Sequence, residues 1–143
     1  MKRKVLAYIT RKEKESMQLL VFRHVHYPQA GLQVPAGTVD AGEDLLSALW
    51  REIDEESGLT PIQLVLVAQV ATAPFYFAER DEWQERSFFH LRARDALPDR
   101  WLQVVKAGEE DKGMHFSYAW LPLAEAATTL SGNQGDWLHQ IGS

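Results

Sequence analysis

The stretch VPAGTVDAGEDLLSALWREIDEESGL, residues 34–59, constrains this chain more than any other. From Asp44 to Ser57 the apolar residues Leu46, Leu49, Trp50 and Ile53 recur at helical spacing, Gly58 stands as a C-cap and Pro61 follows shortly. That pattern predicts an α-helix docked by one face. The same helix carries REIDEE, four acids in six residues. At about 100° per residue, Glu52, Glu55 and Glu56 fall within one sector of about 100°, beside the sector of Leu46, Leu49 and Ile53, while Asp54 and Arg51 point elsewhere. Like charges at i,i+3 and i,i+4 cost about 0.2–0.5 kcal/mol per pair even on an exposed helix. A divalent cation reverses the sign of that interaction, and hard carboxylate oxygens select Mg²⁺ or Mn²⁺. On the spacing alone a solvated acidic face is the more ordinary reading, since Glu is a common helix former.

Composition bounds the alternatives. With 143 residues, 45% hydrophobic and 24% charged, the chain has the size and balance of one globular domain spanning 1–143. Net charge is −5, which offers no basic footprint for a stable nucleic-acid complex or an anionic membrane surface. There is no cysteine, so disulfides, thiolate metal sites and a cysteine nucleophile are excluded, and any metal must use oxygen or imidazole. In MKRKVLAYITRKEKE the run VLAYI is too short for a signal-peptide core, and no window approaches the roughly 18 apolar residues of a membrane span. A cytoplasmic protein is expected.

Elsewhere, KVLAYIT (4–10) and MQLLVFRHV (17–25) read as strands joined by the charged turn RKEKES. IQLVLVAQVA (62–71), RSFFHLRA (86–93) and MHFSYAWL (114–121) read as further strands, LPLAEAATTL (121–130) as a closing helix, with a short helix near 136–141. The polar stretches ERDEWQE (79–85) and KAGEEDKG (106–113) read as loops. Strands mixed with two helices predict a layered α/β or α+β fold.

Gly37, Glu43, Arg51-Glu52, Ile53, Glu55-Glu56, Gly58 and Leu59 together spell G-x5-E-x7-R-E-U-x-E-E-x-G-U, with U aliphatic. This resembles the signature of the Nudix hydrolase family at every defined position. Seven fixed residues at about 7% each, with two aliphatics, make a chance match about one in 10⁹ per window. The resemblance implies an α/β/α sandwich around a mixed sheet, and hydrolysis of a nucleoside diphosphate linked to another moiety with Mg²⁺ or Mn²⁺. Carried onto this chain, Glu52, Glu55 and Glu56 would be metal ligands, with Glu52 and Glu56 the principal pair. Arg51 and Glu43 would pair to orient them, and Gly37 would open the loop near metal and phosphates. The cation would neutralise pyrophosphate oxygens and make a water acidic enough to attack phosphorus. The base that takes the proton would be a signature glutamate or an acid of a later loop, for which Glu110 and Glu109 are the candidates and His115 a competitor. Ala36 departs from the pattern, since many members have a second glycine there; that bears on loop conformation only.

Substrate cues diverge. Pro74, fifteen residues after Leu59, resembles the placement in ADP-ribose pyrophosphatases, whereas Tyr76, seventeen after it, resembles that in diadenosine polyphosphate hydrolases. Phe75, Tyr76, Phe77 and Trp83 could stack a base, and Arg23, His24 and Arg86 could contact phosphate. The substrate is expected to be ADP-ribose-like, a dinucleoside polyphosphate or a nucleoside triphosphate. Family members are often dimers, so a homodimer is a further expectation, although no segment marks an interface. Two other readings stay open at this point: a catalytically silent nucleotide-binding sensor, and a structural acidic helix with no metal.

Overall fold

A computed structural model describes residues 1–108 and 112–141. Strands β1 (Lys2–Glu13) and β2 (Ser16–His24) form a hairpin turned by Lys14 and Glu15 alone, with Lys14 left-handed at φ 57°. Of the expected turn RKEKES, Arg11, Lys12 and Glu13 belong to the ladder, opposite Gln18, Met17 and Ser16. Polar side chains on a strand end exposed to water are compatible with pairing, so charge was a poor guide to the turn.

Side chains alternate across a strand, so a central strand supplies two cores. Val5, Ala7 and Ile9 of β1, with Leu20 and Phe22 of β2, pack on one side; Leu6 and Tyr8, with Leu19 and Val21, pack on the other. Helix α1 (Leu45–Ser57) covers the first face through Ala48, Leu49 and Ile53, and α2 (Leu123–Thr129) meets the second through Ala126. The expected α/β/α sandwich is formed. Leu49 and Ile53 are fully buried, each worth about 1.5–3 kcal/mol of transfer free energy. Leu46, expected on that face, is 44% exposed; Leu45 takes its place against the core.

Among the described residues the sheet has eight strands. Besides β1 and β2 they are β3 (Leu32–Gln33), β4 (Ala36–Thr38), β5 (Leu64–Phe77), β6 (Glu82–Ala93), β7 (Trp101–Val104) and β8 (His115–Pro122). The main order is β5-β6-β1-β2-β8-β7, with β1 and β6 parallel and the other pairs antiparallel, hence a mixed sheet. ERDEWQE is not a loop beyond Asp81, because Glu82 to Glu85 pair with β5 through Phe77↔Glu82 and Tyr76↔Trp83. The expected helix near 136–141 is a single 3₁₀ turn, Leu138–Gln140.

One departure from regular pairing positions the site. β1 and β2 pair with each other only between Thr10–Glu13 and Ser16–Leu19. Beyond that they separate: β1 pairs with β4 (Val5↔Gly37) and β2 with β3 (Phe22↔Gln33). The segment 32–38 wedges the strands apart, held by the Ala7 amide donating to the Pro35 carbonyl at 2.9 Å. A crevice of about 1280 Å³ opens at this split, on the Lys2, Lys4 and His24 ends of the strands.

Candidate active site

Helix α1 is fixed at both ends, and that sets where its acids point. Asp44 caps the start, its Oδ1 accepting from the Ser47 amide at 2.8 Å. At the end Gly58 takes the left-handed conformation, φ 81°, which favours glycine. The last carbonyls of a helix lack intrahelical partners. Here that of Glu55 accepts from the Lys106 amide at 3.0 Å, that of Glu56 from the Tyr118 hydroxyl at 3.0 Å, and that of Ser57 from Trp101 Nε1 at 3.1 Å. Trp101 also stacks on Tyr118, with centroids 5.0 Å apart. These contacts stop the helix from rolling. Trp101 belongs to β7, whose run WLQV is too short and too closely bounded by polar segments to carry a strand signal in the sequence.

Glu56 continues the buried stripe of the helix. It is only 5% exposed, and its Oε1 accepts from the Ala36 amide at 3.0 Å. Glu52, one turn earlier, lies directly over Gly37: a Cβ added there would come within 1.9 Å of the Glu52 carboxyl carbon. Gly37 is thus required for close approach. Its φ is not in the left-handed region.

Arg51, which the helical wheel placed on a different sector, reaches back by its length and becomes the hub. It donates through Nε and Nη2 to the two Glu43 oxygens at 2.8 and 2.9 Å, and through Nη2 to the Thr38 carbonyl at 2.9 Å. Its Nη1 meets Glu52 Oε1 at 2.8 Å and Glu55 Oε2 at 3.3 Å. The Arg51–Glu43 pairing therefore ties the 38–44 loop to the helix. The guanidinium holds the Glu43 carboxyl down at about 2, helped by the Asp40 amide, and Glu43 in turn raises the pKa of Arg51. Burial pushes Glu52 up to about 7, against the pull of Arg51. Asp54 faces away and pairs with Lys106 at 3.0 Å.

Glu52, Glu56, Arg51 and Gly37 line the crevice. Of the other expected contacts, His24, Phe77 and Arg86 line it too. Arg23, Phe75, Tyr76, Trp83 and His115 do not. Arg23 is exposed on the strand end; Tyr76 donates its hydroxyl to Asp81 and packs on the exposed Trp83. Phe75 lies under the Arg86 guanidinium, 3.6 Å from ring centroid to Cζ. His115 meets the edge of His26 with centroids 5.2 Å apart. Glu109 and Glu110 lie outside the described residues. The crevice also takes in Phe22, Tyr27, Phe116 and Gln134, which the sequence left unmarked. Gln134 supports the site loop by accepting from the Val34 amide at 2.8 Å. Its distance of 100 residues in sequence gave no local signal.

A family model described as the NUDIX domain matches residues 1–141. The chain belongs to the Nudix family. Among solved structures this Nudix chain resembles an Ap4A hydrolase binary complex from C. elegans, at TM-score 0.74 and 20% identity, covering 98% of this chain and 94% of that one. It also resembles the E. coli dihydroneopterin triphosphate pyrophosphohydrolase (TM-score 0.71, 21% identity, 97% and 93% covered). A third is the NUDIX domain of Shewanella oneidensis NrtR complexed with ADP ribose (0.67, 15%, 96% and 84%). At these identities the likeness is one of fold. No curated protein matches the sequence significantly. Membership in the Nudix family makes hydrolysis of a pyrophosphate bond the reaction class.

The expected trio of carboxylate ligands is not assembled as such: among the described residues no three Asp, Glu or His side chains converge to hold a metal ion. Glu55 is turned to Arg51, and one Glu56 oxygen is occupied by the Ala36 amide. What the Nudix helix does present to the crevice is Glu52 and Glu56, a pair of hard oxygen donors in a desolvated wall. That set fits Mg²⁺, which is commonly bound by one or two carboxylates together with waters and substrate phosphates. No helix among the described residues is long and apolar enough to cross a membrane.

Proposed function

We propose that this chain hydrolyses the diphosphate linkage of a nucleoside diphosphate derivative or nucleotide with Mg²⁺ or Mn²⁺, its principal protein ligands being Glu52 and Glu56, with Glu55 beside them. The observation that carries the reading is the seating of the Glu52 carboxylate in the space a side chain at Gly37 would fill. Burying an acid over a glycine, in a crevice wall, costs free energy that a cation and its phosphate ligands would offset.

When bound, the cation supplies charge neutralisation for the pyrophosphate oxygens and acidifies a water. The chain's own residues do the rest. Arg51, clamped by Glu43, holds Glu52 and Glu55 in place, because a loosely held ligand binds less well. The Ala36 amide orients Glu56. Tyr27, half exposed at the crevice, offers an aromatic face suited to a base, a stack worth about 1–3 kcal/mol, with the buried Phe22 and Phe116 packed behind the lining. A carboxylate must accept the proton of the attacking water; the candidates are a glutamate of the signature and Glu110, which lies outside the described residues.

Phosphate release from a nucleotide panel, assayed while Mg²⁺ and Mn²⁺ are titrated in, tests this. Turnover should require metal, and Glu56→Gln should lose at least about 100-fold in kcat while keeping its circular dichroism spectrum. Near-normal activity of that variant would refute the ligand assignment. Saturable nucleotide binding with no turnover of any substrate would make the chain a binding module.

A further inference from the structure

The crevice has a second charged wall that the hydrolytic reading leaves unused. Lys4 and Arg86 are register partners on the parallel pair β1–β6, and both line the crevice. Lys4 is also the register partner of Thr38 on β4, the strand that carries Gly37, and it is among the charges acting on the Glu52 carboxylate. A path therefore runs from Glu52 over β4, across Lys4, to Arg86. It spans two strand spacings, roughly 10 Å.

Arg86 is built into place. Its guanidinium lies over the Phe75 ring at 3.6 Å, Nη1 donates to the Gly132 carbonyl at 2.7 Å, and Nε donates to Gln84 Oε1 at 3.3 Å. None of these three contacts is with an acid; Asp136 acts on the Arg86 charge without a salt bridge between them among the described residues. Among the described residues Arg86 makes no salt bridge, in contrast to Arg51 with its four acids and Lys2 with Glu82. A half-buried arginine fixed by a ring, a carbonyl and an amide is a charge held ready for an anion from outside the chain.

We propose that Lys4 and Arg86 form a second anion subsite that reads the phosphate chain beyond the linkage cleaved at Glu52, so that substrates with three or more phosphates are preferred to those with two. This rests on the hydrolytic reading for its catalytic half only. Burial weighs on the Arg86 charge, which makes a bound anion more favourable there. A diphosphate held at Glu52 and Glu56 stops short of Arg86, whereas a longer chain crosses Lys4 and reaches it. The two residues are far apart in sequence and meet through strand register alone.

Isothermal titration of inorganic tripolyphosphate and pyrophosphate into the full chain in EDTA tests the subsite without metal or turnover. Tripolyphosphate should bind at least tenfold more tightly than pyrophosphate, and Lys4→Gln and Arg86→Gln should each lose at least tenfold of that affinity. In the presence of Mg²⁺, each variant should also lower, at least tenfold, the ratio of kcat/KM for a nucleoside triphosphate or dinucleoside tetraphosphate to that for ADP-ribose. Lys4→Gln keeps the experiment readable if loss of the Phe75 stack unfolds Arg86→Gln. Equal binding of the two inorganic ligands by the unaltered chain, or unchanged affinity and unchanged ratio in the variants, overturns the proposal. Tripolyphosphate binding with no hydrolysis of any nucleotide would sustain the subsite and sink the hydrolytic function. Hydrolysis indifferent to chain length would do the reverse.

Discussion

Replacing Gly37 by alanine separates the stability of this fold from its chemistry. Gly37 sits in β4 opposite Val5, with no left-handed φ, so the backbone accepts a Cβ without strain. Glycine in a strand interior is about 0.5–1 kcal/mol less favourable than alanine, so the main chain has nothing to lose. The added methyl would stand 1.9 Å from the Glu52 carboxyl carbon and 2.1 and 2.3 Å from its oxygens, where ordinary contact begins at 3.4 Å. The carboxylate must therefore retreat by more than about 1 Å, and by about 1.5 Å to reach ordinary contact. As the far end of a flexible side chain it can do so, but it then leaves the Arg51 Nη1 contact at 2.8 Å. A misplacement of about 1 Å at reacting groups can cost roughly 100-fold in rate. We expect Gly37→Ala to keep a melting temperature within a few degrees of the parent and to lose about 100-fold in kcat/KM. A cycle with Glu52→Ala is the decisive assay, because the clash disappears when Glu52 is shortened. If Gly37→Ala costs as much activity in the Glu52→Ala background as alone, the steric explanation fails.

Three further outcomes follow from the same geometry. Glu52 holds its proton up to about pH 7 in the fold against about 4.5 when unfolded, so between those values the native state binds the extra proton; without metal, the contribution of Glu52 to stability should be fully present below about 4.5 and be lost as pH rises through 7. Glu52→Gln should remove that slope, and denaturation midpoints that decline equally in both proteins would contradict it. Glu43 is shifted the other way, to about 2, so its pairing with Arg51 stabilises above about 4.5 and is lost as pH falls toward 2; Glu43→Gln should flatten the acid limb of a urea titration. Tyr118→Phe leaves the Glu56 carbonyl without its buried donor and should cost about 1–3 kcal/mol in chemical denaturation, with activity falling because the end of α1 loosens; unchanged stability would show that the hydroxyl does not anchor the helix.

Much of the helix was readable locally. Asp44, Gly58 and the apolar repeat mark its bounds within a residue, because capping and periodicity act over one or two turns. Leu46 was misplaced, since with Leu45 adjacent the pattern allows two rotations of the stripe and only the position of the sheet chooses between them. The polar run ERDEWQE misled for a related reason: pairing with β5 satisfies its backbone whatever its side chains, and no local feature reports the partner. Of the aromatic residues expected to stack a base, Phe77 lines the crevice while Phe75, Tyr76 and Trp83 do not, and the crevice also takes in Phe22, Tyr27 and Phe116 from other strands and turns.

From its sequence alone this chain specifies its family, its acidic helix and the chemistry those acids suit, because the signature spans one loop and one helix whose spacing is covalent. What the tertiary structure decides is which of those acids reach the crevice. Glu52 and Glu56 do, Glu55 is drawn off by Arg51, and Lys4 and Arg86 arrive on the opposite wall from strands 82 residues apart. The physical reason is that the split between β1 and β2, the roll of α1 set by Tyr118 and Trp101, and the parallel register of β1 with β6 are all long-range pairings. Each is fixed by backbone partners and packing that no window of the sequence contains.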